Sequence, residues 1–373
     1  MMRPLSLRKL LLPLVPVYRL ALALREVGLS TGLAPVRRLR FPVVSIGSLS
    51  AGGAGKTPLT IALAKALTLR GLTVDVLSRG YGRQSRFPAR VDPDGAAEEF
   101  GDEPLLIARE TGVPVYVAAE RYDAGLLAEA EQSLTGREPE QTASGPADSG
   151  PVGRGFSLGM KPKEMTGALA PEVCIHLLDD GFQHRQLHRD VNILLLDGHD
   201  WLEDGLLPAG NLREPLQAAR RATAIAIPAH DPKLEAELRA WGWQGPIWRL
   251  HRTIDVPAVK GPVAAFCGIA RPEQFFAGLE AAGLHLAARF SFRDHHRYSV
   301  NDLNRLVAVA RSAGATALIT TEKDQVRLGK LSAAFSDSLP IKTARLRVEI
   351  EDEDEAVEWL ADRLKSAPPR PRL

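Results

Sequence analysis

The sequence predicts an α/β fold: a mostly parallel sheet with helices on both faces, a smaller C-terminal α/β lobe, and a basic amphipathic helix at the N-terminal end. Three observations carry this expectation. Short β-branched, apolar runs alternate with segments of helical spacing along most of the chain. Those runs are too uniformly apolar for burial on one side only, which is the pattern of parallel strands covered on both faces. The leading segment stands apart in charge, with Arg3, Arg8, Lys9, Arg19, Arg25, Arg37, Arg38 and Arg40 against the single acid Glu26.

The elements follow in order. FPVVSIGSL at 41–49 reads as a strand, and PLTIALAKALTLRGL at 58–72 as a helix stopped by Gly71. TVDVLSRGYG, VPVYVA at 113–118, VCIHLLDD at 173–180, VNILLLDG at 191–198 and ATAIAIP at 222–228 supply further strands. Residues 131–170, rich in Gly, Pro, Ser and charge, read as a flexible insertion between a helix and the next strand. A turn-rich stretch at 241–260 separates this block from a second one. There VAAFCGIA, PEQFFAGLEAAGL, LAARFSF, NDLNRLVAVARSAG and ATALITT repeat strand and helix, and a closing helix lies in the tail.

A chain of 373 residues with 45% hydrophobic and 25% charged residues buries a real core and suggests two domains. A net charge of +2 and 6% aromatic residues argue against nucleic acid as a partner. Cys174 and Cys267 sit in apolar runs and read as small core residues, not as a disulfide framework or a zinc cluster. In the leading segment Lys9, Pro13, Pro16 and Arg19 interrupt the leucines, so no run reaches the roughly 18 residues of a spanning helix. An interfacial segment, with leucines in the acyl boundary and arginines among anionic headgroups, fits better; a helix packed on the domain with solvated arginines is the alternative.

SAGGAGKT at 50–57 resembles a phosphate-binding loop, except that Ser50 stands where the pattern G-x-x-x-x-G-K-S/T has glycine. Its setting, strand before and helix after, is that of a P-loop NTPase-like core. In such a loop the backbone of Ser50, Ala51, Gly52, Gly53, Ala54 and Gly55 forms an anion nest. Lys56 then reaches the phosphate oxygens and Thr57 ligates Mg²⁺. Serine serves at the loop's start if its φ is negative. The second requirement, a carboxylate at a strand end, is met by Asp179 and Asp180, with Asp197 as a rival and a helix-cap role as the alternative. His184 and His188 have i, i+4 spacing without a third ligand nearby, which suits positioning or packing better than zinc. Asp102 in GDEP, in a glycine and proline turn before a helix, reads locally as an N-cap, Asp294, His295 and His296 as a weak catalytic signal, and Arg213 with Glu214 as a phosphate clamp or a surface ion pair.

Taken together, SAGGAGKTP, SRGYGR, GDEP, LLDDGFQHR, LPAGNLREP, FCGIARPEQFF, FRDHHRYS and TTEKDQVRL resemble, in this order, the tetraacyldisaccharide 4′-kinase family. In that family the loop reads S/T-x-G-G-x-G-K-T-P, so Ser50 fits it. The longer segment at 131–170 departs from its compact members. The resemblance implies ATP-dependent, Mg²⁺-assisted phosphorylation of the 4′-hydroxyl of an acylated glucosamine disaccharide 1-phosphate in lipid A biosynthesis, by a peripheral or monotopic enzyme at the cytoplasmic face of the bacterial inner membrane. It implies Asp102 as catalytic base paired with His295, Lys56 and Thr57 on phosphates and metal, Asp179 and Asp180 as the acidic strand end, and Arg79, Tyr81, Gln183, Arg213 and Glu214 in positioning roles. The organisation to expect is a membrane-associating segment over 1–37, a kinase core over 38–250 and a smaller lobe over 258–365 that closes onto the core, with no obligate protein partner evident. The alternatives are a P-loop switch or assembly ATPase, against which the missing N-K-x-D segment speaks, and a kinase of a small soluble metabolite.

Overall fold

The computed structural model describes residues 7–53, 55–135, 174–202, 204–335 and 339–365. Among the described residues twelve strands form one sheet: β1 (Val43–Ser48), β2 (Thr73–Ser78), β3 (Ala89–Arg90), β4 (Val115–Val117), β5 (Cys174–Asp179), β6 (Val191–Leu195), β7 (Ala224–Pro228), β8 (Ile247–Asp255), β9 (Val263–Cys267), β10 (Leu286–Ser291), β11 (Ala317–Thr321) and β12 (Ile341–Ile350). Their order is β10-β9-β11-β12-β8-β7-β6-β1-β5-β2-β4-β3, parallel throughout except at β12–β8 and β3–β4.

The helices are α1 (Val15–Ser30), α2 (Lys56–Leu69), α3 (Ala97–Phe100), α4 (Asp102–Thr111), α5 (Arg121–Thr135), α6 (Gly198–Leu202), α7 (Pro232–Ala240), α8 (Pro272–Ala281), α9 (Val300–Ser312), α10 (Glu322–Leu328), α11 (Leu331–Phe335) and α12 (Glu353–Lys365). Short 3₁₀ segments cover Leu7–Leu14 and Leu216–Arg221.

Side chains alternate across a strand, and β1 shows how this covers both faces. Val44 and Ile46 join the cluster that also holds Leu59 and Leu63 of α2, Leu105 of α4 and Leu360 of α12. Val43 points the other way, into a cluster with Tyr116, Leu178 and Ala124 of α5. The C-terminal strands repeat the arrangement: Ala264 and Phe266 of β9 face α9, while Val263, Ala265 and Cys267 face α8. Both cysteines are buried and free.

The structure differs from the sequence reading at two places. Residues 131–135 continue α5, and Gln132 donates to Asp75 Oδ2 at 2.9 Å; the remainder of the expected insertion lies outside the described residues. The stretch 241–260 supplies β8, which pairs in parallel with β7 and antiparallel with β12 and so carries the sheet from the first block into the second. Its alternation of half-buried and exposed residues, with Trp248 and Leu250 inward, marks a one-sided strand, not a turn region.

A buried charge network ties β2 and β5 to α5. His176 Nδ1 lies 2.6 Å from Asp75 Oδ1, and its Nε2 lies 3.5 Å from Glu129 Oε1. Burial works against the imidazolium, but the two carboxylates outweigh it and raise its pKa to about 9. A pKa raised on folding gives stability that is complete below the unfolded value and lost as pH rises through about 9. His176→Gln is therefore expected to cost about 3–5 kcal/mol near pH 6, with a smaller deficit near pH 9.5, as read by urea unfolding at the two pH values.

The N-terminal helix lies against the first block on one side only. Val15 and Tyr18 touch the cluster around Phe182 and Trp201, and Tyr18 Oη donates to the Arg213 carbonyl at 2.7 Å. Arg25 bonds the Gln183 carbonyl, and Glu26 pairs with Arg185. The opposite side presents Val17, Leu20, Leu24 and Val27, each 54–65% exposed, with Leu10, Leu12 and Leu14 exposed before them. Among the described residues no helix is long and apolar enough to cross a membrane.

Candidate active site

The loop between β1 and α2 has the form its glycines require. Gly52, Gly53 and Gly55 have φ of 88°, 74° and 89°, conformations that side chains other than glycine's rarely adopt. Gly55 leads into α2, so Lys56 and Thr57 occupy the first turn, where the free N–H groups and the helix dipole favour anions. Ala54 lies outside the described residues. Ser50 is fully buried and is not among the residues of positive φ, so no glycine is needed there. Its hydroxyl donates to Asp200 Oδ2 at 2.7 Å, while Ala51 N–H bonds the Asn211 carbonyl at 2.8 Å.

Lys56 Nζ stands 3.2 Å from Ser48 Oγ and 3.4 Å from Asp180 Oδ1. The two acids after β5 have opposite surroundings. Asp179 is 1% exposed and accepts from the neutral Thr60 hydroxyl at 3.1 Å; burial, with Glu103 and Asp180 adding to it, raises its carboxyl to about 7. Asp180 has a left-handed backbone, φ 48°, and both its oxygens accept from Arg213 Nη1, at 3.0 and 2.8 Å. Burial would raise its pKa, but Lys56 and Arg213 bring it down to about 2. Asp197 is drawn elsewhere: its carboxylate accepts from Arg271 Nη1 at 2.5 Å and from the Asp200 N–H at 2.8 Å.

Asp102 opens α4, yet its carboxylate does not cap that helix. The cap position is Gly101, with φ 91° and no side-chain bond. Asp102 Oδ2 instead lies 3.2 Å from His295 Nδ1 and accepts from Arg327 Nε at 2.7 Å, with Arg327 Nη2 on the same oxygen. Segments C-terminal to β10 thus supply both partners, and the pair is assembled. Burial alone would raise the Asp102 carboxyl. The His295 hydrogen bond and the charges of Arg327 and Lys323 outweigh it, holding the group well below the usual carboxylate range. Reciprocally, the bond to Asp102 raises the His295 pKa. The Tyr81 ring leans on His295 at 5.0 Å.

The remaining predicted residues divide. Gln183 Nε2 donates to the Ser48 carbonyl at 2.9 Å, beside the lysine. Arg213 faces Asp180, whereas its neighbour Glu214 turns to Arg221 and Arg25 and anchors α1 instead. Arg79 is exposed. GFQHRQLH forms successive turns, not a helix, so the i, i+4 spacing of His184 and His188 does not place them on one face. Burial and neighbouring arginines lower the His184 pKa to about 3.

Several site residues carry no individual signal in the sequence. Arg121 Nη2 holds the Asp180 carbonyl at 3.0 Å. Lys323 of α10 pairs with Glu103, next to Asp102, and Arg327 follows it one helical turn later. The i, i+4 spacing of Lys323 and Arg327 was visible, but nothing local says that their face meets α4.

The sequence matches the family described as tetraacyldisaccharide-1-P 4′-kinase over residues 7–365. It is 39% identical over 357 residues to a tetraacyldisaccharide 4′-kinase of Koribacter versatilis, covering 93% of this chain and 96% of the relative. The corresponding kinase of Geobacter metallireducens is 35% identical over 364 residues, covering 88% and 94%. Among solved structures, the Aquifex aeolicus LpxK in complex with ATP aligns with a TM-score of 0.67 at 30% identity, over 96% of this chain and 100% of that one.

Proposed function

The chain belongs to the tetraacyldisaccharide 4′-kinase family, and on that premise we propose that Lys56, Thr57, Asp179 and Asp180 manage the phosphates and metal while Asp102 takes the acceptor's proton. The protein is an ATP-dependent phosphotransferase of lipid A biosynthesis that acts on a hydroxyl group. The observation that carries the assignment of roles is the convergence of three elements. The glycine loop opens α2, Asp179 and Asp180 close β5 beside Lys56, and Asp102 meets His295 across the lobes.

Phosphoryl transfer depends on in-line placement and charge neutralisation more than on covalent chemistry. Lys56 would leave its resting contacts with Ser48 and Asp180 for the β- and γ-phosphate oxygens. The oxygen donors fit Mg²⁺: Thr57, in the first turn of α2, carries a hydroxyl, and Asp179 is a buried carboxylate whose side-chain hydrogen bond comes from a neutral hydroxyl. When bound, that cation neutralises charge on the phosphates. Arg213 and Arg121 fix Asp180 from the side-chain and backbone sides. Asp102, ionised and oriented by His295, accepts the proton of the 4′-hydroxyl as the new bond forms. A kinase core at 38–250 completed by a lobe at 258–365 is supported by His295 and Arg327, which come from the latter, although α12 packs back on the core through Leu360.

An acceptor with four acyl chains leaves a bilayer only at a cost of about 0.8 kcal/mol per CH₂, so the enzyme must work at the membrane surface. The exposed face of α1 supports peripheral binding at the cytoplasmic side of the inner membrane, with the basic residues of 1–37 among anionic headgroups. The double variant Leu20→Glu/Leu24→Glu should weaken binding to anionic vesicles at least about tenfold in a sedimentation assay. ATP affinity should stay at the parental value; equal loss of both would assign α1 to folding instead.

A further inference from the structure

Ser50, the residue that departs from the general loop pattern, begins a chain of contacts that ends in the other lobe. Its hydroxyl donates to Asp200 Oδ2 at 2.7 Å, and both residues are fully buried. Asp200 sits beside Asp197, whose carboxylate accepts the Asp200 N–H. Two carboxylates so close to a polyphosphate site oppose its ligand unless they are neutralised. Arg271, at the start of α8, provides that charge: Nη1 donates to Asp197 Oδ2 at 2.5 Å and Nη2 to Asp200 Oδ1 at 3.1 Å. The same side chain lies across the loop. A Cβ on Gly53 would stand 2.8 Å from Arg271 Cδ, and one on Gly52 would stand 3.0 Å from Ala270 Cβ. The absence of side chains at Gly52 and Gly53 thus makes room for the smaller lobe as well as for phosphates.

We propose that Arg271 is a positioning residue for the nucleotide: it neutralises Asp197 and Asp200 beside the phosphate loop and, through Asp200 and Ser50, fastens the loop's start to the smaller lobe. The bidentate fork is what suits arginine here, because one planar group satisfies two acids at once. Nucleotide affinity then depends on the lobe that carries His295, and the two halves of the site are set by one side chain.

The inference rests on the loop being the phosphate site, which Lys56→Met tests separately by loss of ATP affinity. Arg271→Met should raise the KM for ATP about tenfold or more, with kcat at saturating ATP within about threefold of the parent. Arg271→Lys, which retains one charge but not the fork, should fall between. In Arg271→Met/Asp197→Asn/Asp200→Asn the opposing charges are gone, and asparagine still accepts from Ser50; most of the lost ATP affinity should return. An ion pair that merely holds the fold together predicts the reverse, a triple variant no better than the single one. That result, or an unchanged KM in Arg271→Met, overturns the proposal. If Arg271→Met fails to fold, the comparison of Arg271→Lys with Arg271→Lys/Asp197→Asn decides it on the same criterion. Unchanged ATP affinity in Lys56→Met would instead remove the phosphate-site reading itself.

Discussion

Asp102→Asn should lower kcat by about 10²- to 10⁴-fold, the usual range for losing a general base, and leave the dissociation constant for ATP near the parental value. Asparagine keeps the shape and can still accept from His295 Nδ1 and from Arg327. It cannot take a proton. His295 and Arg327 hold the Asp102 carboxyl well below the usual carboxylate range, so it stays ionised as pH falls toward about 5. Activity lost in that interval comes from other groups. A carboxylate held so low is also a weak base toward a free alcohol. It becomes effective once the forming bond to phosphorus has made the hydroxyl proton strongly acidic, which agrees with a loose transition state. Steady-state kinetics on acceptor in mixed micelles checks the prediction, and a kcat within about threefold of the parent would remove Asp102 from the role.

Lys56→Met should reduce kcat by about 10²- to 10³-fold and weaken ATP binding as well, because in the proposed role the ammonium group would contact phosphate both before and during transfer. In the structure Lys56 is poised between Ser48 Oγ at 3.2 Å and Asp180 Oδ1 at 3.4 Å, distances that a phosphate oxygen can replace with little rearrangement. Asp180 retains Arg213 as its partner when the lysine leaves, so the carboxylate is not stranded. Isothermal titration with ATP and Mg²⁺, set beside turnover, separates the two effects. Unaltered affinity for ATP in this variant would remove the loop from the phosphate site.

What the sequence made legible was local. The strand, glycine loop and helix at 41–72 are consecutive, and each is specified by its own pattern of apolar, glycine and basic residues. The two-faced burial of β1 and β5 showed as apolar runs. β8 was hidden because only Trp248 and Leu250 are buried, and Arg249, His251 and Arg252 break any apolar run. The Asp102–His295 pair came from resemblance, since a 193-residue separation leaves no local trace. Arg327 joins the same oxygen from 225 residues away and had no assigned role even with its motif in view. Glu214 illustrates a limit of motif reading: beside a site residue in sequence, it pairs with Arg221 and with Arg25 of α1 instead.

The central claim is that one catalytic unit, Asp102 with His295, spans the two lobes. Its most direct test is a cycle of Asp102→Asn, His295→Gln and the double variant, read as single-turnover transfer of labelled γ-phosphate to the disaccharide 1-phosphate. Residues acting as one unit are not additive, so the double variant should be within about threefold of Asp102→Asn alone. Losses that multiply would contradict the account, because they would show His295 acting apart from the carboxylate it touches.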